Sequence, residues 1–399
     1  MADYRHSGSP ITASGAAPSG PSAIRRIHSA AWNTLNRDAN PFTDHRFLAA
    51  LEQSGCVGGA SGWQPAPIVS GQSPPGFAPA WLKQHSHGEF VFDFVWADAA
   101  HRAGIRWYPK LLVAAPMTPV TGPRLLGNEA TRAQLLAELE HRVLADRLSS
   151  CAINFCDRPD CELLDQSAWL ARSNWQFHWF NRGYNDFDAF LARLRSKPRK
   201  NIRRERRLAH ADGWGYRWVD GNAITNNELR LVSSCYQTTF ELYGNRPSLN
   251  HAFFERVSRS FGRQFLVCIA SRNGIDRACS VFWRNETRLF GRYWGALEET
   301  RDVHFEACYY QGIAYCIEHG LHAFEPGAQG EHKIRRGFVP VATSSYHFIR
   351  HAGLREGIRD WLRLECDALA RYRQQLQTLI PYQDADIELS EQPGLGQSG

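Results

Sequence analysis

The sequence predicts a mixed α/β (α+β) chain built from two similar halves that a basic helix joins. Three observations support this prediction. The 399 residues are 43% hydrophobic, which is enough for two domains at about 150 residues each. The order of predicted strands and helices before the basic segment is similar to the order after it. The basic segment itself lies between these two series.

In the first half, helical periodicity is clearest over 129–147, where Leu135, Leu139 and Val143 share one face. Short apolar runs bounded by turn residues predict strands. In chain order we expect a helix at 41–53, a strand near Ile68, strands at 77–85, 89–95 and 107–115, a helix at 129–147, a strand at 151–155, a helix at 158–172 and a strand at 174–182.

In the second half, turn signals at Asn273-Gly274 and Asn285 separate three strands of a meander. In chain order we expect a strand at 214–219, helices at 225–242 and 249–261, strands at 263–271, 277–284 and 288–296, a helix at 304–319, strands at 322–325 and 344–350, and a long polar helix at 353–378.

These elements place the domain boundaries. The sequence predicts a disordered arm at 1–23, a first domain at 24–184, a basic linking helix at 185–212, a second domain at 213–385 and a flexible tail at 386–399. The arm is rich in Gly, Ser, Pro and Ala and has no apolar core of a secretory signal. No apolar run reaches the roughly 18 residues that cross a bilayer, so a cytoplasmic protein without an integral membrane segment is expected.

Positive charge is concentrated in the linking helix. Residues 193–207 read RLRSKPRKNIRRERR and hold nine Lys or Arg against one acid, Glu205. The whole chain carries +6, so the rest of it is slightly acidic. Pro198 places the helix start near Ser196 or Lys197. Such a helix is either a solvated connector or a binding site for a polyanion such as tRNA, the phosphates of CoA or an anionic lipid.

The ten cysteines are scattered through apolar stretches, which is typical of buried free thiols. Cys151, Cys156 and Cys161 lack the spacing of a zinc site, and His85 and His87 have no third ligand in register. We therefore predict no metal site and no tightly bound cofactor.

The densest group of reactive side chains lies at 290–340. A strand ends near Trp294, a helix carries His304, Glu306, Tyr309 and Tyr310, and a strand delivers Glu325. Glycines next to Lys333, Arg335 and Arg336 would allow backbone N–H groups and cations to approach a phosphate together. Glu325 is a candidate proton-transfer group, or a structural partner of Arg292 or Arg336.

The strings NPFTDHRFLAALEQSGCVG, APMTPVTGPRLL, NIRRER, GRYWGA, HFEACYYQGIAYCIEHGL and EPGAQGEHKIRRGFVP resemble the FemAB-like family of predicted N-acyltransferases. The resemblance runs from about Ile24 to Tyr382. It implies a tandem GNAT-like acyl-CoA N-acyltransferase fold, with two mixed-sheet halves, a basic helix between them and a conserved lysine that HKIRRGF matches at Lys333.

The resemblance also implies the reaction, which is transfer of an activated acyl group to an amine without a covalent enzyme intermediate. The co-substrate would be aminoacyl-tRNA or acyl-CoA, and tRNA would bind helix 193–207. The predicted catalytic residues are Glu325, Lys333, Glu306 and Tyr309. The predicted donor-binding residues are Arg199, Lys200, Arg203, Arg204, Arg207, Gly327, Gln329, Gly330, Arg335 and Arg336. The predicted acceptor pocket comprises His304, Tyr310, Trp294, Arg292, Lys83 and Thr118.

Two other functions fit the same sequence. Degenerate GNAT-like halves could bind a cell-wall precursor or nucleic acid without catalysis, in which case Lys333 and Glu325 would be dispensable. The basic helix could also dock on anionic lipid, although it offers few apolar anchors.

Overall fold

A computed structural model describes residues 23–71, 74–300, 302–328 and 330–383 of the chain. The predicted arm at 1–23, apart from Ala23, and the tail at 386–399 lie outside these residues. The helices in the described residues are α1 (Ser29–Thr34), α2 (His45–Gln53), α3 (Phe94–Arg102), α4 (Glu129–Ala145), α5 (Arg158–Leu164), α6 (Phe187–Ala192), α7 (Ser196–Ala209), α8 (Asn226–Leu242), α9 (His251–Phe261), α10 (Val303–Phe305), α11 (Gln311–Glu318) and α12 (Ala352–Leu379).

A π-helical turn, Glu306–Tyr310, joins α10 to α11, and a short 3-10 helix covers Glu331–Arg336. The strands are β1 (Trp63–Pro65), β2 (Ile68–Val69), β3 (Phe77–Ala78), β4 (Ala80–Lys83), β5 (Lys110–Val113), β6 (Ser150–Asn154), β7 (Leu170–Phe180), β8 (Trp214–Asp220), β9 (Phe265–Arg272), β10 (Ile275–Arg284), β11 (Arg288–Ala296), β12 (Ala323–Glu325) and β13 (Val339–Ile349).

Eleven strands form one continuous sheet in the order β1-β4-β5-β6-β13-β7-β12-β11-β10-β9-β8, and β2 pairs with β3 apart from it. The pairs β5–β6 and β11–β12 are parallel and the other neighbours are antiparallel. The sheet is therefore mixed, and it runs without a break from the first half of the chain into the second.

The two halves exchange strands at the centre of this sheet. β13 comes late in the chain, yet it lies between β6 and β7 of the first half. β7 in turn pairs with β12 of the second half, with Ala323 opposite Phe180. Each half therefore completes the hydrogen bonding of the other, which the order of elements along the chain does not reveal.

The N-terminal segment fills the space between the halves. Trp32 stacks on Phe77 of the first half, with ring centroids 5.3 Å apart. Phe42 contacts Trp283 and Phe290 of the second half at 5.6 and 5.5 Å. Trp32 and Phe42 are fully buried in a hydrophobic core that both halves share.

The α/β class, the long helices and the second-half meander are confirmed by the structure. The strand predicted at 89–95 is wrong: Glu89 and Asp93 turn inward onto Lys110, and α3 begins at Phe94. The helix predicted at 158–172 ends at Leu164, because β7 begins at Leu170. All ten cysteines are free thiols. Within the described part of the chain, no helix has the length and apolarity needed to cross a membrane.

Candidate active site

The two halves meet at a cavity of about 1390 Å³, called the central cavity below. The first half contributes the loop 55–61 after α2, the loop 85–92 before α3, and Met117 and Pro119. The second half contributes α8 with the loop 245–250, β10, β11 and the helix after it, and the segment 326–328. Aromatic rings form much of the wall, among them Trp63, Tyr236, Phe240 and Trp294.

An extra residue in β11 shapes the floor of the cavity. Val281 of β10 faces Tyr293, but the next residue, Phe282, faces Gly291, so Arg292 is the bulged residue. The bulge directs Arg292 toward the first half, where its Nη2 donates to the carbonyl oxygen of Met117 at 2.9 Å. Bulges of this kind aim side chains at functional sites, and here one also joins the two halves.

The helix that follows β11 forms one side wall. Its π-helical turn places His304, Cys308 and Tyr309 along the cavity. Such turns are frequent at functional sites. Burial, together with the neighbouring His332, lowers the pKa of His304 to about 4, so its imidazole is neutral at pH 7. The ring packs edge-on against Trp294 at 5.4 Å.

Lys333 lies behind the segment 326–328. Its side chain is buried, and its Nζ donates to the carbonyl oxygens of Gly327 at 2.7 Å and Ala328 at 3.2 Å. Burial lowers the pKa of Lys333 to about 7; Cys308 partly offsets this and the cation of Arg292 adds to it. At neutral pH this amine therefore exists in both protonation states beside the cavity wall.

Helix α7 is attached to this wall by two ion pairs. Arg206 Nη2 lies 3.0 Å from Oε1 of the fully buried Glu306, and Arg336 Nη2 lies 2.9 Å from Oε1 of Glu205. The Tyr310 hydroxyl also donates to Glu205. Burial alone would raise the pKa of Glu306, but hydrogen bonds from His210 and Arg206 hold it below its usual value.

Two predicted site residues are therefore placed away from the cavity. Glu306, expected to act as a base, and Tyr310, expected in the acceptor pocket, both lie under α7 and do not line the central cavity. Glu325 is also outside the lining: Arg288 binds it at 2.7 Å, rather than Arg292 or Arg336, and His178 lies at 3.9 Å.

The outer face of α7 carries the remaining charge. In the part of the chain that the structure describes, no ion-pair or hydrogen-bond partner meets the side chains of Arg199, Lys200, Arg204 or Arg207, whereas Arg203 pairs with Asp188 at 3.1 Å. Between α7 and the 3-10 helix lies a second pocket of about 510 Å³, called the α7 pocket, which Arg204, His332, Arg335 and Arg336 help to line. The Tyr309 hydroxyl lies 3.0 Å from Nε2 of His332, which links the walls of the two pockets.

The other predicted residues are placed as follows. Lys83 is fully buried behind the wall, with its Nζ 3.7 Å from the ring centre of Trp63, and burial lowers its pKa to about 7. Thr118 is buried between two lining residues, Met117 and Pro119. Gly327 lines the cavity, and Gly330, at φ 106°, begins the 3-10 helix. Gln329 lies outside the described residues.

Sequence reasoning missed Cys308 and Arg246, which both line the central cavity. Cys308 could have been found, because it follows His304 by four residues and so shares its helical face. Arg246 sits in a loop with no periodicity, and only the fold brings that loop to the mouth of the cavity.

Comparison with known proteins gives a consistent picture. A family model described as FemAB-like, peptidoglycan biosynthesis/recognition, matches residues 23–384. The solved structure of FemX has a TM-score of 0.51 and 11% identity, covering 84% of this chain and 98% of that chain. The C-terminal domain of a protein assigned as a lysylphosphatidylglycerol synthetase, from Agrobacterium fabrum, has a TM-score of 0.50 and 10% identity, covering 83% and 92%.

A tandem GNAT protein from the clavulanic acid biosynthesis pathway is a more distant likeness, with a TM-score of 0.35 and 12% identity over 58% of this chain and 75% of that chain. At these identities the likenesses to FemX and to the Agrobacterium fabrum domain concern the fold alone. No protein of curated function has a significantly similar sequence.

Proposed function

Because the chain belongs to the FemAB-like family, we propose that it is a transferase that takes an aminoacyl group from an aminoacyl-tRNA and passes it to an amine in the central cavity. One observation carries the choice of donor. A row of cations without ion-pair partners on α7 is fixed by two buried ion pairs to the wall that holds Tyr309 and Lys333.

The length of α7 over which these cations are spread is suited to binding a polyanion. With Lys197, five Lys or Arg side chains of α7 have no ion-pair partner in the described residues, and the 14-residue helix is about 21 Å long. Neutralising several phosphates of an RNA backbone requires charges spread over such a length. The diphosphate of CoA would use only a few of them.

The helix after β11 argues against a diphosphate at the usual anion site of such folds. Helix N-termini that bind phosphates are preceded by glycine-rich loops with free backbone N–H groups. Here the loop 297–302 contains no glycine. This favours a donor whose phosphates bind elsewhere, on α7.

The cavity supplies what aminolysis of an ester needs. A C–N bond forms between the amine and the aminoacyl carbonyl, the C–O bond to the ribose breaks, and a proton passes from the amine to the ribose oxygen. Neutral His304 can accept the proton. Protonated Lys333, which lies behind the segment 326–328 and donates to its carbonyl oxygens, can stabilise through space the negative charge that develops on the aminoacyl carbonyl oxygen. Tyr309 and His332 connect the cavity with the α7 pocket, where the RNA end would lie.

The donor is tested by filter binding of a pool of charged tRNA at 50 and 200 mM salt. We expect binding that weakens steeply with salt, and at least a tenfold loss at low salt when Lys200, Arg204 and Arg207 are changed to Gln. A matched control changes Arg355, Arg359 and Arg363 of α12 to Gln, which removes the same charge from another helix. No retention at either salt, or equal losses in the two triple variants, would contradict a tRNA donor.

Transfer itself is measured as loss of aminoacyl ester that depends on added amine. Lys333→Met should abolish it while leaving tRNA retention within twofold of wild type. Turnover of acetyl-CoA in place of aminoacyl-tRNA would instead identify a CoA-dependent enzyme, and tRNA binding without turnover would identify a binding protein.

A further inference from the structure

Arg292 carries a charge that no carboxylate of the described residues pairs with. Its side chain is partly buried, and its Nε is fully buried. Its guanidinium can donate five hydrogen bonds, and the described residues accept one of normal geometry, at the Met117 carbonyl. No carboxylate of the described residues lies within 4 Å of it, and Glu325, which interacts with it from farther away, is paired with Arg288. Buried charges in proteins are normally paired, so this one calls for a partner that the chain does not supply.

Two hydroxyl groups that lie beside Arg292 also lack hydrogen-bond partners. The Tyr293 hydroxyl is close to Arg292 and Thr118; burial raises its pKa, and these two neighbours only partly offset the rise. Even so, Nε of Arg292, the Tyr293 hydroxyl and Oγ1 of Thr118 are buried and make no hydrogen bond of normal geometry within the described part of the protein. Three donors from both halves of the chain thus converge on one place.

The charged side chains of the described residues that line the central cavity around Arg292 are positive. Arg292 and Tyr293 both line the central cavity, and so do His85, His87, Arg246 and His304. Of the described residues that line it, none is Asp or Glu. A positively charged acceptor would meet no carboxylate among these described residues, whereas a negatively charged group would meet hydrogen-bond donors and cations.

We propose that Arg292 and Tyr293, with Thr118 behind them, form a subsite for an anionic group, a carboxylate or a phosphate, that the acceptor carries in addition to its amine. The planar guanidinium suits either group, since it can form two parallel N–H···O bonds. The β-bulge explains why the site exists: without the extra residue, the side chain at this position would follow the strand alternation instead of reaching the junction of the halves. The inference rests on the proposed function in that it names the class of acceptor.

The test uses three amines of similar size: glycylglycine, which carries a carboxylate; O-phosphoethanolamine, which carries a phosphate; and glycylglycinamide, which carries neither. Their binding to the full chain is followed by tryptophan fluorescence, because Trp63 and Trp294 line the cavity. We expect at least one anionic amine to bind about tenfold or more tightly than glycylglycinamide, and the stronger of the two identifies the group.

Arg292→Gln should remove this preference, and Tyr293→Phe, which deletes one hydroxyl, should reduce it severalfold without affecting glycylglycinamide. The second variant keeps the test decisive if the first fails to fold. Arg230→Gln, on the exposed face of α8 and outside the cavity lining, is the control and should keep the preference. Equal binding of the three amines, or a preference that survives the loss of Arg292, would overturn the proposal.

This measurement needs neither RNA nor turnover. If tRNA fails to bind while the anion preference depends on Arg292, the donor proposal fails and the subsite stands. If tRNA binds and the three amines bind equally, the subsite fails alone.

Discussion

Two lysines with strongly lowered pKa values are buried near the central cavity. Lys333 and Lys83 are shielded from water and have no carboxylate within salt-bridge distance in the described residues, and burial lowers each pKa to about 7. An unfolded lysine titrates near pH 10.4. Between about pH 7 and 10.4 these two lysines therefore hold protons in the unfolded chain that they have released in the folded chain, so their contribution to the free energy of unfolding rises with pH.

We predict that Lys333→Met flattens this rise. Each such lysine contributes up to about 1.4 kcal/mol per pH unit, and the variant loses one of the two contributions. Its stability relative to wild type is thus most favourable near pH 7 and declines toward pH 9. Urea unfolding at pH 7, 8 and 9 measures the difference, with Lys197→Met on the exposed face of α7 as control. Identical slopes in Lys333→Met and wild type would show that the lysine is charged when buried.

Elements are joined here by buried ion pairs as well as by apolar packing. The carboxylate of Glu306, in the π-helical turn, accepts hydrogen bonds from Arg206 of α7, from His210 at the C-terminal end of that helix and from Gln311 of α11. Glu306 is fully buried, whereas the pair between Arg203 and Asp188 on the outer side of α7 is exposed. The orientation of α7 should therefore depend on the first pair and not on the second.

Glu306→Gln is expected to destabilise the protein by about 2–3 kcal/mol, because Arg206 keeps a charge that has lost its buried partner; its partial exposure reduces the effect. Asp188→Asn, the matched exposed change, should cost less than about 1 kcal/mol. Denaturant unfolding gives both values. Similar effects of the two substitutions would mean that Glu306 does not hold the helix.

A second contact between elements is a close approach of β11 to α8. A Cβ added at Gly295 would lie 1.9 Å from the backbone oxygen of Cys235, and backbone on both sides cannot yield locally. We expect Gly295→Ala to destabilise by about 3 kcal/mol or more and to move α8, which lines the cavity. Gly215→Ala on β8 is the control, since nothing lies within 4 Å of its added Cβ. Equal stability of the two variants would disprove the contact.

The sequence predicted the individual helices and strands better than the contacts between them. Periodicity identified α4, α8 and α12 and the meander, and Pro198 gave the start of α7 at Ser196. A local sequence pattern predicts the secondary structure of a segment, but not which other segments it contacts. Glu306 and Arg206 are 100 residues apart, so the pairing that holds Glu306 under α7 became visible only in the fold.

At the scale of the whole molecule, the strand exchange makes the halves interdependent. β13 supplies partners to both β6 and β7, and the shared core draws on residues of both halves. The sequence does not predict this arrangement, because the pattern of residues in a buried strand does not indicate which distant strands it pairs with. The resemblance of the two halves in element order suggested two copies of one α/β unit.

We predict that residues 24–184 expressed alone do not fold. Without β13 this fragment would expose the facing edges of β6 and β7, which invite aggregation. The full chain should unfold in one transition with coincident far-ultraviolet and tryptophan signals, and the fragment should lack dispersed amide resonances. A well-dispersed spectrum of the fragment, or two separated transitions of the full chain, would contradict this expectation.

The late position of β13 in the sequence also determines when the sheet can be completed during biosynthesis. β7 ends at Phe180 and β13 ends at Ile349, so 169 further residues must be translated before the gap beside β7 can close. At about 5–20 residues per second the ribosome needs roughly ten to thirty seconds for them. Until β12 and β13 emerge, the nascent first half presents one open edge of β6 and both edges of β7, which makes this protein a natural client for chaperones that act at the ribosome.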